Sequence, residues 1–272
     1  MAVSTHSLTF TGDRVVKRYR SWDRGEPDRE WSGLGLLHEH APGVSPQPLR
    51  LRAEDGAPVI EMTRVAGEPL GMARLSPAQV DALAHALTRM YWAIPGEALA
   101  RLPERLWVGR RPPGELPALL RGWVRGTPPV TCAPAAGAPR AAECWLDSAD
   151  PGELTGSLAE RVFTHGDGNI GNFLWDGDRC RVVDFEDAGV SDPAYEAADL
   201  LEHVSVRLPG LIEADALAGA LGLSRSQRAR LRGFRRLMAV YWLLMLLPGN
   251  PACHRNPPGS LEWQAAHVSQ LL

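Results

Sequence analysis

The feature that most constrains this chain is a change of hydrophobic period near residue 70. Before it, apolar residues alternate in short runs; after it, they recur at helical spacing. HSLTF (6–10) and RVVKRY (14–19) flank Thr11-Gly12-Asp13, which predicts a hairpin. PLRLRAEDGAPVIEM (48–62) predicts two more strands around Glu54-Asp55-Gly56. Between the pairs, GEPDREWSGLGLLHEHAPG (25–43) has a proline suited to a first helical position, acids in the first turn and a terminating APG. Trp31, Leu34 and Leu37 mark its apolar face. From Ser76 the pattern is helical: Ser76 reads as an N-cap, Pro77 as the first helical residue and Gln79 as the closure of a capping box. A second β-like patch, FLWDGDRCRVVDF (173–185), predicts a hairpin at Asp176-Gly177, and helix returns from about 211 to 247. Residues 127–142 read as a Pro/Ala-rich linker or surface excursion. This order predicts an α+β chain with a small β-rich N-lobe (1–62), a Gly/Pro connector (63–70) and a larger, mainly helical C-lobe (71–272).

Bulk properties exclude several classes. A net charge of −3 gives no basic signature for nucleic acid. The cysteines at 132, 144, 180 and 253 form no CxxC pair and suggest reduced thiols. MAVSTHSLTF lacks the basic and apolar regions of a secretory signal, and LMAVYWLLMLL (237–247) is too short to span a bilayer. The expectation is a cytoplasmic protein, a monomer or weak dimer, with neither nucleic acid nor membrane as partner.

The segment that carries chemistry is THGDGNIGNFLWDGDRCRVVDFEDAG (164–189). Asp167 and Asn172 lie five residues apart, a hairpin follows, and Asp184 stands at a strand end. Phosphoryl transfer needs such a set: one carboxylate facing the acceptor hydroxyl, with an amide oxygen and a second carboxylate as hard ligands for Mg²⁺.

This segment resembles the catalytic core of the aminoglycoside phosphotransferase and choline kinase group, which has the protein-kinase-like bilobal fold. The match lies in HGD, four residues, Asn, and then a hydrophobic strand ending in Asp. DPAYEAADLLEH (192–203) is similar to the Asp-Pro helix that follows the metal site in that family. The resemblance implies that Asp167 orients and deprotonates the acceptor hydroxyl, that Asn172 and Asp184 hold Mg²⁺, and that His165 braces the loop. It places Met62 at the back of the nucleotide pocket, with Thr63 and Val65 offering main-chain contacts. It leaves ATP and GTP both open. One departure is the lack of a Gly-rich stretch ahead of Val15, where Gly12 is the sole glycine, so the phosphate cover is unassigned.

Lysine usage sharpens the reading. The 29 Lys+Arg include a single lysine, Lys17, and therefore 28 arginines. A bias this strong removes lysine wherever arginine serves, so the survivor suggests a place for a compact, rotatable ammonium. The resemblance gives one: a strand lysine that contacts the α/β-phosphates and pairs with a helix glutamate. Glu30 is the expected partner and Glu26 the competitor.

The interval between Arg181 and Arg207 holds no Lys or Arg and seven acids. Asp192 before Pro193 reads as a helix cap. Asp187, Glu196, Asp199 and Glu202 are expected to form an acidic surface that attracts a cationic acceptor. The resemblance then implies a cationic, hydroxyl-bearing antibiotic as substrate: an aminoglycoside, or a tuberactinomycin-type peptide such as viomycin or capreomycin. A metabolic kinase for choline, a sugar or an amino alcohol is the second reading. A non-catalytic nucleotide-binding module is the third. The arginines from 225 to 236 are expected to form a solvated face, and Trp242 and Trp263 to be mostly buried.

Overall fold

The computed structural model describes residues 6–71, 73–105, 115–127, 135–148, 151, 154, 160–250 and 253–272. The alternating runs form its first sheet. β1 (His6–Thr11) pairs with β2 (Arg14–Tyr19), β2 with β4 (Ala57–Thr63), and β4 with β3 (Pro48–Glu54), all antiparallel. Asp55 and Gly56 take φ of 51° and 79°, the left-handed pair that a two-residue hairpin requires. Lys17 lies opposite Ile60 in the register of β2 and β4. β1 is an edge strand, and its Leu8 and Phe10 are exposed. α1 (Glu26–His40) packs on β3 and β4 with Leu34 and Leu37 fully buried. Its first turn carries Glu26 and Asp28 and its last turn His38 and His40, which match the helix dipole at each end.

The connector after Thr63 leads to β5 (Glu68–Pro69). β5 pairs with β7 (Phe173–Trp175), which pairs with β8 (Cys180–Val182). The hairpin around Asp176-Gly177 therefore hangs directly from the connector. A second tie runs from the Val182 N–H to the Val44 carbonyl at 2.8 Å. β6 (Val162–Thr164) pairs with β9 (Gly189–Ser191), and this ribbon brackets residues 165–188.

Most of the remainder is helical: α2 (Pro77–Ala93), α3 (Gly96–Leu99), α4 (Leu116–Gly126), α5 (Ala138–Leu146), α6 (Pro193–Glu202), α7 (Val204–Arg207), α8 (Ala214–Ala220), α9 (Arg225–Leu246) and α10 (Ser260–Leu271). Reciprocal capping boxes start α2 at Ser76 and Gln79, and α9 at Ser224 and Gln227. All ten residues of α6 are buried, and its main neighbour is α9. That makes α6 the centre of the helical lobe.

Two expectations change here. The stretch read as a linker over 127–142 becomes helix from Ala138, where a proline in the first turn and strong helix formers favour α5 and bury Ala138 and Ala142. Its residues 128–134 lie outside the described residues. Trp263 is exposed on α10, as are Trp22 and Trp92. Among the described residues no helix is long and apolar enough to cross a membrane.

Candidate active site

Lys17 is 2% exposed, and its Nζ meets three carboxylates. Glu30 Oε2 lies at 2.6 Å and Glu186 Oε2 at 3.5 Å, and Asp184 Oδ1 also accepts a hydrogen bond. Tyr19 donates its hydroxyl to Glu30, and the Phe185 N–H donates to Glu30 Oε1 at 3.4 Å. Burial alone would lower the Lys17 pKa, but the surrounding carboxylates outweigh it and hold the ammonium above its ordinary value. Glu26 is engaged elsewhere, with Arg24 at 2.8 Å.

The candidate catalytic segment begins as β6 ends. Gly166 takes φ 86°, and a Cβ there would collide with the Asp187 backbone; one on Gly168 would collide with the Asp199 backbone. Both glycines let the loop lie against its neighbours. Asp167 is held at both oxygens: Oδ1 accepts the Asn169 N–H at 2.9 Å, and Oδ2 accepts Asn172 Nδ2 at 2.8 Å. With its nitrogen committed to Asp167, the Asn172 amide keeps its oxygen as the donor for a cation. Asp184, at φ 71°, is a non-glycine residue in the left-handed region, the kind of strain that collects at functional sites. An amide oxygen and a carboxylate are hard ligands of the type Mg²⁺ takes, so the residues present fit that ion. His6 Nδ1 lies 3.0 Å from Glu186 Oε2, and His6, Asp184 and Glu186 bring their ligand atoms within 4.8 Å of one another beside Lys17.

His165 is buried, with its ring edge-on to Phe173 and Phe185 at 5.3 and 5.9 Å. Burial lowers its pKa and favours the neutral ring. The side chain packs the loop from behind.

A cleft of about 770 Å³ opens beside these groups. Val15, Met62, Thr63 and Val65 line it together with Lys17, Asn172 and Asp184. Two connector amides are already committed: Thr63 N–H to the Gln47 carbonyl at 2.9 Å, and Arg64 N–H to the Asp13 carbonyl at 2.6 Å. His6, Leu8 and Phe10 of β1 border the cleft as well, and the Arg64 guanidinium lies 5.5 Å from the Phe10 ring centre. Sequence reasoning passed over β1 as a wall because its alternation marks only a strand.

The expected acidic surface is corrected at three of its four positions. Glu196 and Asp199 are buried against Arg105, at 2.7 and 2.9 Å. Glu202 is 0% exposed between Arg235 at 2.7 Å and His267 at 2.6 Å. Only Asp187 is partly exposed; burial and then Glu186 push its carboxyl up to about 6. The reason is that α6 is buried on every face, so its acids need internal counter-charges. Those come from outside the cation-free interval. The solvated face expected of the late arginines holds at Arg225 and Arg232, which are exposed, and is corrected elsewhere: Arg235 pairs with Glu202, Arg230 with Asp192 at 2.8 Å, and Arg236 Nε donates to the Leu271 carbonyl at 2.8 Å. Asp192 caps α6 by accepting the Ala194 N–H at 2.8 Å.

Arg105 also escaped sequence reasoning, since ERLW carries no pattern. Near Asp167 a polar-aromatic group stands in place of the acids. The His203 ring meets Trp242 edge-on at 4.8 Å, and Tyr241 meets Trp242 at 5.1 Å. Burial lowers the His203 pKa, and the opposing charge is Asp167, which places that ring in the field of the Asp167 carboxylate.

A bilobal α+β fold with this site defines a phosphotransferase of protein-kinase-like architecture. The model of the phosphotransferase enzyme family, APH, matches residues 6–234, and the chain belongs to that family. No curated protein matches the chain. Solved structures with a similar fold include a choline/ethanolamine kinase family protein from Mesorhizobium loti, 18% identical, with a TM-score of 0.68 over 100% of this chain and 86% of that one. Spectinomycin phosphotransferase APH(9)-Ia, in complex with ADP and spectinomycin, is 12% identical, with a TM-score of 0.64 over 99% and 91%. Aminoglycoside phosphotransferase APH(3'')-Id from Streptomyces rimosus, in complex with ADP and streptomycin, is 19% identical, with a TM-score of 0.59 over 85% and 88%.

Proposed function

We propose that this phosphotransferase moves the γ-phosphate of ATP or GTP to a hydroxyl of a small cationic molecule. The acceptors we put first are aminoglycosides and tuberactinomycin-type peptides, whose modification would confer resistance. The observation that carries the reading is the meeting of Lys17, Asn172 and Asp184 in the lining of one cleft, with Asp167 bonded to Asn172. In this reading 63–70 is the hinge, with Met62 behind the base and Thr63 and Val65 beside it. Lys17, steadied by Glu30, contacts the α/β-phosphates. Asn172 and Asp184 would hold Mg²⁺, which supplies charge neutralisation on the phosphates. Asp167 orients the acceptor hydroxyl. As the new O–P bond forms, the bond to the β-phosphate oxygen breaks, the nucleoside diphosphate leaves, and the hydroxyl proton passes to Asp167. Asp187 is the acid left to draw the acceptor's positive charge.

A metabolic acceptor such as choline, a sugar or an amino alcohol is the second reading. The burial of Glu196, Asp199 and Glu202, together with the His203, Tyr241 and Trp242 rings, favours it, because a single ammonium suits aromatic faces. Mass spectrometry of protein, Mg²⁺ and ATP or GTP with aminoglycosides, tuberactinomycins, choline and simple sugars tests both. A phosphate added to one cationic antibiotic, absent with Asp167→Ala, supports the first reading. Addition to a metabolite alone supports the second. No product, with nucleotide still bound, argues against the first reading and leaves an untested metabolite or a non-catalytic module.

A further inference from the structure

Arg105 is fully buried and reaches three groups at once. Nη1 donates to Glu196 Oε1 at 2.7 Å, and Nη2 donates to Asp199 Oδ2 at 2.9 Å and to the Gly166 carbonyl at 2.5 Å. The guanidinium also lies 5.0 Å from the Tyr195 ring centre. Its own backbone is fixed in the ribbon that brackets the catalytic segment. The Arg105 N–H donates to the Val190 carbonyl at 3.0 Å, and Gly189 packs so closely that a Cβ there would strike the Arg105 backbone.

We propose that Arg105 is a positioning residue for phosphoryl transfer, whose guanidinium holds the Gly166 carbonyl, and through it the Asp167 carboxylate, against α6. The chain of contacts is short. Gly166 directly precedes Asp167, and Gly168 directly follows it. Gly168 lies against the backbone of Asp199, whose carboxylate Arg105 holds. The catalytic turn is thus pinned on both sides of Asp167, with one cation serving both pins. A planar fork can meet two carboxylates and a carbonyl together, whereas a lysine ammonium on a flexible stem cannot span all three. Arg105 is not among the residues that line the cleft, and it acts through the loop alone.

The inference rests on reading Asp167 as the carboxylate that faces the acceptor. The test uses the full chain with Arg105→Lys, which keeps a charge for Glu196 and Asp199, and with Glu196→Gln, which keeps the arginine. Three quantities are read: Mg·ADP affinity by calorimetry, amide hydrogen exchange over 164–172, and phosphoryl transfer from ATP to the best acceptor, or to water if no acceptor is found. Arg105→Lys is expected to keep Mg·ADP affinity and the KM for ATP, to lose about a hundredfold in kcat, and to exchange faster only over 164–172. Glu196→Gln is expected to do the same to a smaller extent, and it carries the test if Arg105→Lys does not fold. Unchanged kcat and exchange in Arg105→Lys would overturn the proposal. So would a joint loss of affinity, turnover and protection across the helical lobe, the mark of a merely structural residue. A wild type that transfers no phosphate refutes the proposed function, while the exchange measurement still decides whether Arg105 holds the loop.

Discussion

Lys17 Nζ stands 2.6 Å from Glu30 Oε2, and both side chains are buried. A strand of the first sheet and the helix packed on it thereby share one charge pair at the edge of the cleft. Lys17→Met leaves Glu30 facing Asp184 and Glu186 without a cation. Breaking a buried pair at one partner costs about 3 kcal/mol. Urea unfolding at pH 7 should show that loss. Lys17→Arg should restore stability better than it restores nucleotide affinity, because the fork fits poorly between a carboxylate and two phosphates.

Asp187 gives a pH dependence. Burial, then Glu186, lifts its carboxyl to about 6, above the ordinary aspartate value. The folded protein therefore holds this proton more tightly than the unfolded chain does. Its contribution is complete below about pH 4 and is lost as pH rises through about 6, at a cost of roughly 3 kcal/mol. Asp187→Asn should remove that slope. Urea unfolding from pH 4 to pH 7 should show the variant gaining on the wild type across this window, then running parallel.

Gly166→Ala should be costly twice over. The residue sits at φ 86°, where an L side chain pays about 1–2 kcal/mol. Its Cβ would also press on the Asp187 backbone. Thermal unfolding should fall, and phosphoryl transfer should fall further than stability alone explains.

Glu202 joins α6 to α9 through Arg235 and to α10 through His267. Glu202→Ala removes a buried carboxylate and leaves the partly exposed Arg235 guanidinium without it, which should cost about 1–3 kcal/mol. Limited proteolysis should cut near α10 first, since that helix loses one of its ties to the bundle and keeps those from Arg236 to Leu271 and from Gln264 to Ala239.

What was legible in the sequence was whatever is local. Period-2 runs and turn residues mark the strands around Thr11-Gly12 and Asp55-Gly56, and Ser76 with Gln79 marks the start of α2. The segment from His165 to Asp184 carries its spacing on its face, and lysine scarcity singles out Lys17. What was not legible was charge pairing across the fold. Glu196, Asp199 and Glu202 read as a surface because no cation lies near them in the chain. Arg105 and Arg235 reach them from 91 and 33 positions away. Burial decided their role, and a helix whose ten residues are all buried shows no polar face to warn of it. Arg105 had no signal at all, because its importance lies in a contact with a backbone carbonyl.

The most direct test of the account is calorimetric titration of Mg·ATP into wild type, Asp167→Ala and Asp184→Asn, with phosphate release followed in the same samples. The account predicts that wild type binds and turns over, that Asp167→Ala binds equally well without turnover, and that Asp184→Asn loses Mg²⁺-dependent binding. A wild type that binds no nucleotide, or an Asp167→Ala variant that turns over normally, would contradict it.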